Sequence, residues 1–107
     1  MIYKFKSKAA GDVIMMGPTG DDVLRLMGKA PAAQGIIEVV AMAAAMSALE
    51  QAVAADEAAR AQAEKEAAAE GRTLGPREGV SLRQRAWPLV EMMKRSKAEG
   101  ADIVWGV

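Results

Sequence analysis

Two stretches of this sequence place chemically active groups at spacings that a ligand or a reaction could use. Gly17-Pro18-Thr19-Gly20 lies between an apolar run, Val13–Met16, and a helical pattern, the arrangement in which backbone N–H groups and a helix dipole hold phosphate. The turn carries no Lys, however, and Asp21 and Asp22 follow it in the first turn of the expected helix, where they complement the dipole and repel an anion. Asp21/Asp22 and Glu64/Glu66 are also close carboxylate pairs. Neighbours one or two apart on a helix do not converge on one substrate, so neither pair suits acid–base catalysis.

Basic residues fall into two groups: Lys4, Lys6 and Lys8 at the start, and Arg72, Arg77, Arg83, Arg85, Lys94, Arg95 and Lys97 in the last third. Net charge is +1 over residues 1–40, −4 over 41–71 and +3 over 72–107, for a total of zero. A nucleic-acid surface ordinarily shows a basic excess with stacking aromatics, and aromatics make up only 4% here. Trp87, beside Arg83 and Arg85, could support a partner surface, but a core anchor or a cation–π stack within its helix is the favoured reading. Eight methionines include Met15/Met16, Met92/Met93 and the i,i+4 pair Met42 and Met46. They lie on or beside apolar stripes with no Cys or His for company, which favours core filling over a copper(I) site.

Cys and His are both absent. That removes the usual zinc, haem and iron–sulfur ligand sets, disulfides, thiol nucleophiles and the ordinary neutral-pH base. An enzyme built on this chain would need carboxylates, Lys, Ser, Thr or Tyr. No cofactor or metal site is expected, and no catalytic residue stands out.

The elements that must hold these groups fit one domain of 107 residues. Of the 51% hydrophobic residues, 23 are Ala, so helix content is high and the core of larger side chains is modest. Residues 2–8 alternate as a half-buried strand with Tyr3, Phe5 and Ser7 on one side, and Val13–Met16 reads as its hairpin partner, buried on both sides. Thr19 with Asp22 resembles a capping box for a short helix over about 21–28. Gly35–Glu38 reads as extended chain, and the spacing of Ala43, Met46, Leu49 and Val53 begins a long Ala-rich helix from about Val40 to Glu70.

Thirty residues make a rod of about 45 Å, whereas a globule of this length has a radius of gyration of only about 13 Å. The half beyond Ala54 has no large apolar residue and is expected to project or fray, held by propensity and by pairs such as Asp56–Arg60 and Arg60–Glu64. Residues 72–80 read as a flexible connector. Ser81 with Gln84 forms a capping box for a last helix that Pro88 interrupts. Ile103, Trp105 and Val107 share one side of a final strand, which should join the hairpin in a three-stranded sheet. The longest weakly polar run, Ile36–Leu49, contains Glu38 and is too short to span a bilayer. The N-terminus lacks the apolar stretch of a signal peptide.

Tyr3-Lys-Phe-Lys-Ser7, Val13-Ile-Met-Met-Gly-Pro18, Leu82-Arg-Gln-Arg-Ala-Trp-Pro-Leu-Val90 and Val104-Trp-Gly-Val107 together resemble a family of short bacterial proteins, the domain of unknown function numbered eighteen-forty. The resemblance covers essentially the whole chain. It implies a stand-alone cytoplasmic bacterial protein and assigns no activity or site residue.

The expected fold class is therefore α+β: a small antiparallel sheet, from the N-terminal hairpin and the C-terminal strand, packed by a short helix, a long Ala-rich helix and a Pro-interrupted C-terminal helix. The expected function is a non-enzymatic interaction or structural protein, self-associating through helices or meeting another protein, with no membrane partner. The alternative is a nucleic-acid accessory protein using Lys4, Lys6, Arg83 and Arg85, with Trp87 on the same partner surface. An enzyme with a carboxylate- or Lys-based site is the third reading.

Overall fold

The computed structural model describes residues 2–75 and 80–107. Alternation at the start of the chain forms β1 (Ile2–Ser7), with Tyr3 and Phe5 buried and Ile2 and Lys4 exposed. A tight reversal at Lys8-Ala9 leads into β2 (Ala10–Met16), which pairs antiparallel with β1, Ile2 opposite Met16 and Lys4 opposite Ile14. The hairpin is as expected, but β2 is not buried on both sides. It lies at the edge of the sheet, and its outward residues Ile14 and Met16 are 64% and 63% exposed.

Helix α1 (Gly17–Leu26) starts four residues earlier than the sequence pattern implies. Pro18 in its first turn explains this, because a fixed φ and a missing N–H both suit a helix start. Gly17-Pro18-Thr19-Gly20 is thus helix and not a preceding turn, and the Thr19/Asp22 capping box does not form: the N-cap is Met16, without a side-chain cap. Gly20 is required by packing. It lies flat on the Tyr3 ring, where a Cβ would overlap the ring carbons.

Gly35–Ile37 forms β3, a fourth strand that the sequence pattern marks only as extended chain. Both β1 and β3 pair with β4 (Ile103–Trp105), giving an antiparallel sheet of order β2-β1-β4-β3. Gly35 accommodates the Trp105 ring as Gly20 accommodates Tyr3, and the Trp105 indole Nε1 donates to the Ala32 carbonyl at 2.9 Å. Val107, expected on the inner side with Ile103 and Trp105, is exposed instead, and its carbonyl accepts from Lys6 Nζ.

Helix α2 spans Val39–Ala69, and Glu38 is its N-cap residue. Its buried residues Met42, Ala45, Leu49 and Val53 belong to the core cluster, whereas Ala67, also buried, stands outside that cluster. The helix therefore outruns the core, and the molecule measures 52 × 27 × 22 Å with a radius of gyration of 15.9 Å. Its outer half projects and is helical to Ala69. By length and composition α2 also passes as a helix that could cross a membrane, since an 18-residue window of it has a mean hydropathy of 1.3, although Met42, Leu49 and Val53 are packed into the protein core.

Helix α3 (Leu82–Glu99) begins with the expected box, the Ser81 hydroxyl accepting from the Gln84 N–H and the Gln84 side chain accepting from the Ser81 N–H, and ends at left-handed Gly100. Pro88 does not interrupt it. Pro88 and its neighbour Trp87 face solvent, where a helix adjusts to a missing N–H more readily than in a packed layer. Of the expected connector over 72–80, residues 76–79 lie outside the described residues. Helices α1 and α3 pack on the sheet and α2 packs on them, in one core with Tyr3 and Phe5, leaving the Ile2/Lys4 face open.

Candidate functional site

The phosphate-like segment is itself the first turn of α1, which carries no acidic residue, so the expected repulsion by Asp21 and Asp22 has to be corrected. Both Asp residues lie further along and already have partners. The Tyr3 hydroxyl donates to Asp21 Oδ1 in a short contact, and Asp22 faces Arg25 at 3.6 Å and Arg85 at 3.8 Å. Burial, with the Asp21 carboxylate as acceptor, pushes the Tyr3 phenol up to about 12. This pair fastens α1 to β1.

The five residues expected to form a partner surface occupy two separate places. Lys4 and Lys6 stand on the open face of the sheet, with Lys4 3.5 Å from Asp12 and Lys6 donating to the Val107 carbonyl. Arg83, Arg85 and Trp87 stand on α3, behind the opposite face. Arg83 makes a two-pronged contact with Glu57 of α2, at 2.7 and 2.9 Å, which holds its guanidinium firmly charged. Arg85 reaches Asp22, so the three helices are pinned to one another by these two arginines. Trp87 is 42% exposed, with Lys94 Nζ 4.8 Å from its ring centre. It is a surface residue with an intrahelical cation–π contact, and the cation is Lys94, not a neighbouring Arg.

Beside Trp87 a cleft of about 290 Å³ separates α2 from α3, lined by Leu49, Val53, Ala86 and Val90, with Glu50 and Arg83 at its rim. A second cleft, of about 480 Å³, opens at the end of the sheet among Lys6, Lys8, Asp102 and Val104. Its polar groups are engaged in part: Asp102 Oδ1 accepts from the Val39 N–H, and Lys6 is held by Val107. Among the described residues no three His, Cys, Asp or Glu side chains gather as metal ligands would. The buried hydroxyl of Ser96 is matched by Ser7, Oγ to Oγ 2.7 Å, and ties α3 to β1.

Two surfaces escape a reading of residue types alone. One is the outer side of α2, where Val40 is 86% exposed. The other is the β2 edge, where Ile2, Ile14 and Met16 lie side by side at 61–64% exposure. A signal was present for Ile2, which falls on the Lys4 side of the alternation, and Ile14 joins it by pairing opposite Lys4. It becomes readable only with the register.

The architecture is that of a small two-layer α+β protein whose helices cover one face of a four-stranded antiparallel sheet. The chain belongs to the family described as Domain of unknown function (DUF1840), which it matches over residues 1–105. No curated protein matches the chain, and no solved structure does.

Proposed function

We propose that this chain is a non-enzymatic interaction protein that self-associates through α2. The observation that carries this reading is the solvent side of that helix. Val40, Ala44, Ser47, Gln51, Ala54, Ala58 and Ala61 follow one another in alternating steps of four and three, are all exposed, and include no charge. That spacing is the seam of a coiled coil, and over 22 residues it runs for about 32 Å. Small side chains let a second helix approach towards the lower end of the usual range, about 8 Å between axes.

The basic residues support a nucleic-acid reading less well. They are divided between opposite sides of the fold, and Lys4, Arg83 and Arg85 face carboxylates of the same chain. Sedimentation velocity over a concentration series tests the proposal. The native chain should form dimers or larger species, and Ala54→Glu with Ala58→Glu, both at exposed positions, should weaken association at least tenfold. A native chain that stays monomeric at the highest concentration sinks it.

A further inference from the structure

Where α2 and α3 face each other, the small side chain of Ala86 leaves their contact unfilled. The cleft there, of about 290 Å³, has a floor of Leu49 and Val53 from α2 and Ala86 and Val90 from α3, all buried, and the half-exposed Trp87 indole as a wall. From Arg83 to Val90 it follows α3 for about 10 Å. That is the lower end of the size range of small-molecule sites, and an apolar floor with a few polar groups at the rim is their usual make-up. Charge at the rim selects the occupant. Arg83 stands at one end, its guanidinium committed to Glu57 at 2.7 and 2.9 Å. Lys94, against the Trp87 ring, is 3.3 Å from Glu91. Both cations are therefore matched by carboxylates. Glu50, towards the other end, lines the cleft, is exposed, and has no ion pair or hydrogen bond among the described residues. The unanswered charge at this cleft is thus negative, beside an indole whose face attracts cations.

We infer that the α2/α3 cleft binds a small arylalkyl amine, its ring against the apolar floor and the Trp87 indole and its protonated nitrogen donating to the Glu50 carboxylate. The ring gains apolar contact with the floor and an aromatic contact with Trp87. The ammonium, on a short arm, stays at the rim, where it keeps part of its hydration and does not bear the cost of a buried charge. An anion of the same shape would meet Glu50 instead of a cation, because Arg83 is held in two charge-assisted hydrogen bonds by Glu57 and is not free to answer it. The α2 residues of this cleft are not those of the exposed seam, so the site does not depend on self-association.

Nuclear magnetic resonance on the isotope-labelled full chain tests this, with phenethylamine as the probe and hydrocinnamate and phenethyl alcohol as its anionic and neutral counterparts. The chain has two Trp residues. Trp87 stands at the cleft, whereas Trp105 is buried with its indole N–H on the Ala32 carbonyl and serves as an internal control. Phenethylamine should move the Trp87 indole signal and the Ala86 and Val90 amides with a millimolar Kd, as befits a ligand of so few atoms, and leave Trp105 unmoved. Hydrocinnamate should bind about five times more weakly, with phenethyl alcohol between the two. Glu50→Gln, at an exposed position, should abolish the preference for the amine while the alcohol binds as before, and Trp87→Ala should weaken all three. Equal affinity for the amine and the acid, or a preference that survives Glu50→Gln, overturns the inference. So do shifts spread over the whole surface, and so does the absence of any shift at about 10 mM amine.

Discussion

Helix α2 is continuous, yet its two halves are held by different physics. From Val39 to Val53 it contributes Met42, Ala45, Leu49 and Val53 to the core. From Ala54 to Ala69 its only buried side chain is Ala67, where the chain turns back: the Arg72 N–H reaches the Ala67 carbonyl at 2.8 Å and Arg60 reaches the Gly75 carbonyl at 2.6 Å. The inner half is helical because tertiary packing demands it, and the outer half because alanine and i,i+4 pairs such as Arg60–Glu64 and Gln62–Glu66 favour it locally. A helix can thus be uniform in geometry and divided in stability.

The strongest way to break the comparison is Leu49→Ala, which deletes a fully buried side chain of the inner half and should lower global stability by about 2–5 kcal/mol in denaturant titration. Next is Ala59→Pro in the outer half. It should cost the local helix about 3 kcal/mol, seen as lost helical circular dichroism and faster amide exchange beyond Ala54, while the melting of the core barely moves. A Pro that lowers the global midpoint as far as Leu49→Ala does would show that the halves are coupled.

A third test uses pH on the core that the inner half shares with Tyr3. Because the folded phenol is pushed up to about 12, its contribution is complete below the unfolded value of about 10 and is lost as pH rises from there through the folded value. Tyr3 is the only tyrosine, so tyrosinate absorbance follows it directly. Tyr3→Phe should flatten the alkaline fall in stability, and an unaltered fall would place its cause elsewhere. The smallest effect belongs to the Arg83–Glu57 pair, which links α3 to the start of the outer half through two half-exposed side chains. Exposed pairs contribute little and are screened by salt, so Arg83→Gln should change stability only slightly, and less at high ionic strength than at low.

Much of this was legible in the sequence where one local rule decides. Alternation at Tyr3 and Phe5, the Ser81–Gln84 box, and the mismatch between a thirty-residue helix and a modest core each gave the observed element. The failures arose where a distant residue decides. Val13–Met16 is an apolar run that looks buried on both sides, and only the strand order reveals that Ile14 and Met16 face outward. Gly17–Gly20 reads as a turn until Pro18 is seen starting a helix and Gly20 lying against Tyr3. Ile36 and Ile37 became strand because Val104 and Ile103 lie opposite them, a partnership separated by more than sixty residues. Trp87 carried both readings, and its surface place follows from Leu89, Val90 and Met93 filling the buried side of α3. The projecting half of α2 was legible as a surface from its lack of large apolar residues, whereas the exposed Ile14 and Met16 of β2 were not, because their exposure is a property of the assembled fold.

The position of β4 has a consequence in time. It is the last strand in the sequence and lies in the interior of the sheet, with Trp105 opposite Phe5 on one side and Gly35 on the other. The β1–β2 hairpin and the long helices close through near neighbours and form within microseconds. Joining the hairpin to β3, by contrast, requires a loop of nearly the whole chain, whose closure entropy slows the step. The finished sheet thus depends on its most distant pairings: without β4 the hairpin and β3 have no strand in common.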